Sequence, residues 1–135
     1  MIVNTDLGLL VIDLSSGREG ESVFITSYSG TIATQGNIGC EYEPVGQKFV
    51  GYRGGTSIYT MTPPNNYRNS DGSLNGSASW SWQLVTNGSG SATPSQNNGD
   101  GTYGRFRYIP SIKAFAVINQ PSDSMYVYKV PNGGM

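Results

Sequence analysis

Apolar and polar residues alternate along most of the chain, and no stretch keeps a 3.6-residue apolar period. The alternation predicts short strands near Ile2–Asn4, Leu9–Leu14, Val23–Tyr28, Cys40–Glu43, Lys48–Arg53, Ser57–Thr62, Ser79–Val85, Gly104–Ile109, Ala114–Asn119 and Met125–Val130. The joints between them carry turn chemistry: Ser16-Gly17, Pro44-Val45-Gly46, Gly54-Gly55 and Pro121-Ser122-Asp123. Two longer connectors, Pro63–Ser79 and Thr86–Thr102, are rich in Gly, Asn and Ser. They read as surface loops or partly disordered links within one domain, because they have little to bury.

Composition sharpens this to an all-β class. Of 135 residues, 36% are hydrophobic and 13% charged, with 19 Gly, and nine Tyr, four Phe and two Trp supply the bulky apolar surface. That is too polar for a helical bundle and too aromatic for a disordered chain. A net charge of −1 leaves no basic patch for a row of phosphates, so nucleic acid is not an expected partner. No apolar run reaches the roughly 18 residues of a membrane helix. The start, MIVNTDLGLLVIDL, has no basic segment or cleavage site and reads as two strands rather than a signal peptide. A cytoplasmic location is the reading for this chain alone, and secretion the reading if it belongs to a longer precursor.

The single cysteine, Cys40, excludes an intrachain disulfide, and there is no histidine. The usual zinc and copper sites, and the usual base of a nucleophilic triad, therefore have no residues to build them. No metal or cofactor is expected.

An internal repeat organises the strands. GCEYEPVGQKFVGYRGGTSIYTMT (39–62) lies over GRFRYIPSIKAFAVINQPSDSMYVYKV (104–130). Both begin with Gly, both contain Tyr-x-Pro (Tyr42–Pro44, Tyr108–Pro110), and Phe49 and Phe115 each follow the Pro by five residues. The N-terminus is a partial third copy, with Val3-Asn4 matching Ile118-Asn119 and Leu9–Leu14 matching Met125–Val130. The units are 1–30 (partial), 39–85 and 103–130 of one domain, 1–135. Repetition of short antiparallel sheets suggests a radial or stacked β architecture.

Gly-x-x-Tyr-x-Pro, the strand KFVGYRGG, the strand SIYTMTP and the closing ASWSWQLV together resemble one blade of a kelch or galactose-oxidase-like β-propeller. The resemblance implies about three antiparallel blades, the first without its inner strand and the last without its outer one. It also suggests the C-terminal part of a larger propeller. The copper site of galactose oxidase needs His, so its activity is not implied. Three blades are too few to close a ring and would leave an apolar face at each end. Closure by oligomerisation, a homodimer first, is therefore expected. A two-sheet β-sandwich is the alternative fold.

Arg105 and Arg107 are expected on one strand face, paired with Glu41 and Glu43 of the preceding unit; anion binding is the other reading. Trp80 and Trp82 alternate with Leu84 and read either as packing or as a sugar-stacking platform with Tyr52 and Tyr67, Arg53 contributing a polar contact. Glu41 and Glu43, about 7 Å apart on one strand face, have the spacing of an inverting glycosidase pair but not its usual placement in a cleft. Asn69–Asn75 distantly resembles a calcium loop, though the acid two residues earlier and the distal Glu are missing. Asn-Gly-Ser at 75–77 and 87–89 would accept glycans only in a secreted eukaryotic protein. The expected function is a non-enzymatic structural or protein-interaction module that associates with itself. A carbohydrate-binding module is the alternative, and a glycosidase comes third.

Overall fold

The computed structural model describes residues 1–5, 8–30, 38–85, 92–96, 102–131 and 134–135. Strands β1 (Ile2–Thr5), β2 (Gly8–Ile12) and β3 (Ser22–Ile25) form sheet I in the order β1-β2-β3. Sheet II contains β4 (Ser27–Ser29), β5 (Gly39–Glu43), β6 (Lys48–Tyr52), β7 (Ile58–Met61) and β8 (Ser79–Val85), in the order β4-β8-β7-β6-β5. Sheet III is β9 (Phe106–Ile109), β10 (Ala114–Val117) and β11 (Tyr126–Lys129). The protein is all-β. Among the described residues the only helical elements are two single 3-10 turns, Tyr103–Arg105 and Pro110–Ile112.

The sheets stack face to face. Leu9, Val11 and Ile25 of sheet I pack with Met61, Trp80 and Trp82 of sheet II. The other face of sheet II supplies Val50, Tyr52 and Ile58, which pack against Phe106, Phe115 and Val117 of sheet III. The middle sheet is thus covered on both faces, which explains its apolar β6 and β7. Across the second interface the Tyr52 ring stacks on Phe106 at 5.4 Å, and Phe106 on Phe115 at 4.8 Å.

The Tyr-x-Pro repeat forms the same hairpin twice. Tyr42 lies opposite Phe49, rings 5.2 Å apart at 55°, and Tyr108 lies opposite Phe115, rings 5.1 Å apart at 51°. Three residues past each Pro the backbone turns left-handed, at Gln47 (φ 54°) and Lys113 (φ 49°). That conformation costs a non-glycine residue about 1 kcal/mol, so matching turns reflect a shared design rather than chance.

Two sequence expectations need correction. Val23–Tyr28 is not one strand: the run breaks at Thr26, whose N–H donates to the Gly76 carbonyl, and β4 pairs in parallel with β8. The chain thereby crosses from the edge of sheet I to the edge of sheet II. Gly104–Ile109 is not all strand, because Arg105 closes a 3-10 turn and only Arg107 lies on β9. Of the two readings of the 63–79 connector, the surface loop holds, and it is a folded one rather than a loose link. It contains an Arg68–Leu74 bridge and backbone bonds Asn69 N to Ser73 O (2.9 Å) and Asn75 N to Tyr67 O (2.9 Å), and it buries Leu74 and Ala78.

Candidate functional site

The residues singled out by sequence are dispersed. Tyr52, Trp80 and Trp82 are 2–4% exposed and belong to the packed interfaces, so the three do not form an exposed stacking platform. Leu84 continues the Trp80–Trp82 side of β8, opposite Tyr59, and is exposed there. The Tyr52 hydroxyl donates to the Gly55 carbonyl and accepts from Asn119 Nδ2 (2.9 Å). Burial raises the Tyr52 pKa, although the Asn119 bond works against it.

Arg107 meets Glu41 at 2.6 Å and bridges sheets II and III, but its side chain is two-thirds exposed rather than buried. Arg105 Nε donates to the Thr102 carbonyl. Glu43 has a different role from the expected ion pair. It is fully buried, and its carboxylate accepts from the N–H groups of Val45 (2.7 Å), Gly46 (2.7 Å) and Met135 (3.1 Å). Burial pushes its pKa up, yet the three amide bonds outweigh that and the net shift is downward. The Glu41/Glu43 pair therefore divides between a surface ion pair and a turn lock. The Cys40 thiol is pushed up to about 12, first by burial and then by the Glu41 charge, which keeps it a thiol at neutral pH.

In the calcium-like segment, the Asp71 carboxylate accepts from Ser73 N (2.9 Å) and Ser73 Oγ (2.6 Å), and Asn69 Nδ2 donates to Ser73 Oγ. Both bonds fall on Asp71 Oδ1 and tie it into the turn, and no cluster with the makeup of a metal site occurs among the described residues. Asn75 is held by the Asn66 carbonyl and Ser77 N–H. Asn87 lies outside the described residues.

Clefts open between the elements among the described residues. One of about 450 Å³ between sheets II and III is lined by Tyr52, Ile58, Phe106, Val117, Tyr126 and Tyr128. A small polar one of about 280 Å³ holds Arg53, Thr56, Ser57 and Gln96. Another, about 520 Å³ between sheets I and II, brings two of the sequence-named aromatics, Tyr67 and Trp80, together with Tyr42 and Phe49. Its polar wall is an ion pair that sequence reasoning missed. Arg68 Nη1 meets Asp13 Oδ2 at 2.7 Å and also donates to the Gly72 carbonyl. Ser15 gives the Asp13 carboxylate both its N–H and its hydroxyl. The Arg68 bond first, then those from Ser15, hold Asp13 well below the usual carboxylate range. A second tie runs from Arg18 to Glu21 (3.0 Å), and from Glu21 to the Leu74 N–H (2.8 Å). These bonds fasten the 63–79 loop to sheet I and shape the cleft.

A sequence signal for Asp13 existed: Leu9-x-Val11-x-Asp13 continues the core-facing parity of β2 with an acid. Asn119 follows Phe115 and Val117 in the same way. It is fully buried and donates to Tyr52 Oη and to the Ser95 carbonyl (2.6 Å). Compared with known proteins, the chain matches no family model, no curated protein and no solved structure.

Proposed function

We propose that the chain is a non-enzymatic, propeller-like structural module whose three sheets act as blades and whose end faces are closed by a second copy. The observation that carries this reading is an equivalence of positions. Phe49 and Phe115 are matching residues, and each faces the preceding sheet. By the same match Val50 and Tyr52 correspond to Ala116 and Ile118. Val50 and Tyr52 are buried against sheet III, whereas Ala116 is half-buried and Ile118 exposed. Val127, opposite Ala116, is 53% exposed. The outer side of sheet III thus carries Ala116, Ile118 and Val127 at positions matching those that sheet II buries, with Arg107 and Lys129 beside them.

Sheet I has the complementary deficit. Leu10 and Ile12 match Tyr126 and Tyr128, which pack on the preceding sheet. Leu10 and Ile12 are half-buried, and Phe24, opposite Leu10, is 46% exposed. An apolar next-facing surface on one copy and an apolar previous-facing surface on another form a head-to-tail contact that a two-fold pair closes. The role is architectural: the module presents its loops on a rigid β frame.

Paired cysteines test this. In a Cys40→Ala background, Phe24→Cys and Val127→Cys variants are mixed and oxidised. A covalent dimer formed mainly between unlike variants supports the head-to-tail contact. Links between like variants, or none, contradict it.

A further inference from the structure

We propose that the cleft between sheets I and II binds a neutral carbohydrate of one or two rings. The site forms within one chain, so this inference stands or falls independently of self-association.

Trp80 lines the cleft, and its indole Nε1–H is buried with no acceptor. That nitrogen is covered in the folded chain, so a ligand oxygen reaches it only if the wall opens slightly; a buried donor left unpaired costs about 1–3 kcal/mol, which rewards such an opening. Gln47 and Asn65, also in the lining, are exposed and make no hydrogen bond among the described residues, which leaves two amides for recognition. Tyr67 is over one-third exposed, and the Arg68 guanidinium stands 5.3 Å from its ring centre, which holds the ring in place.

These groups select among ligand classes by charge and polarity. The two ionised side chains in the wall, Arg68 and Asp13, are spent on each other and on Gly72 and Ser15. A cation would find no free carboxylate there, whereas Met1, whose exposed ammonium donates to the Ile12 carbonyl, also lines the cleft, so the wall turns away a cation more strictly than an anion. A purely apolar ligand would leave the indole N–H and both amides unpaired. A sugar ring supplies an apolar face for Tyr67 and hydroxyls that accept from Trp80 and exchange bonds with Gln47 and Asn65. The volume of about 520 Å³ lies within the range of small-molecule sites.

The test is a titration with glucose, galactose, mannose, maltose, cellobiose and lactose, followed by the 15N-indole resonance of Trp80. A Trp82→Phe variant assigns that resonance. The expected result is a saturable shift of the Trp80 N–H with at least one of these sugars, and slowed exchange of that proton. Tyr67→Ala and Asn65→Ala, both surface changes, should each weaken binding about tenfold while circular dichroism stays unchanged. No shift with any sugar overturns the proposal. So does a response to glucuronate alone, or a response as strong in Tyr67→Ala as in the parent.

Discussion

The hairpins β5–β6 and β9–β10 are built alike and housed differently. Both have a Pro-led turn ending in a left-handed residue, and both set a Tyr across from a Phe at almost the same distance and tilt. In the middle sheet the reverse side of the hairpin is covered by sheet III. In the last sheet the equivalent side is open. Local sequence thus determines the hairpin, while its place in the stack determines how much of it is buried. The same hairpin is covered on both sides where it has two neighbouring sheets and on one side where it has one.

The largest expected effect comes from the two matched phenylalanines. Phe115 is fully buried between Phe106 and Tyr108, and Phe115→Ala should cost about 3–5 kcal/mol in urea unfolding. Phe49 is half-buried, so Phe49→Ala should cost roughly half as much. Equal losses would break the comparison.

Next is the residue that most distinguishes the two turns. Glu43 occupies the position of Ile109 and gathers three backbone N–H groups. Glu43→Gln keeps one acceptor and sets an amide N–H₂ against donors, and it should cost about 2–4 kcal/mol. The same carboxylate gives a pH signature. Its folded pKa is depressed, so its contribution is present above the unfolded value of about 4.3 and is lost as pH falls through the folded pKa. Asp13, Glu21 and Asp71 are lowered too and add in the same direction. Melting temperature should therefore fall from about pH 4 downward, less steeply in Glu43→Gln than in the parent. An identical slope would remove Glu43 from the account.

How much of this was legible in the sequence follows from what each feature depends on. The strands and the doubled hairpin were legible because they rest on period-2 alternation and a Tyr-x-Pro spacing, both local. The burial of Trp80 and Trp82 was one of two open readings, and only the packing of sheet I decided it. The β3/β4 break at Thr26 was not legible, because its cause is a carbonyl fifty residues away, at Gly76. For the 63–79 segment a surface loop was one of two readings, and its order was not legible for the same reason. Its composition looks loose, but Arg68 and Leu74 are held by Asp13 and Glu21 from another sheet. In the site, Tyr67 and Trp80 were named from sequence, whereas Asp13, Arg68, Gln47 and Asn65 depend on long-range placement.

Smaller effects sharpen the likeness of the turns. Gln47→Gly and Lys113→Gly each relieve a left-handed backbone and should stabilise by about 0.5–1 kcal/mol, to similar extents, in thermal unfolding. Destabilisation at one site only would show that the turns are not equivalent. Smallest of all, Arg107→Ala removes a mostly exposed pair with Glu41 and should cost about 0–1 kcal/mol, less still in high salt.

The open outer faces of sheets I and III are tested most directly by sedimentation equilibrium of the intact 14.4 kDa chain. A mass of two copies, reduced to one by Phe24→Asp or Val127→Asp, is what the account predicts. A parent protein that stays at one copy across the concentration range, with stability unchanged in both variants, would contradict it.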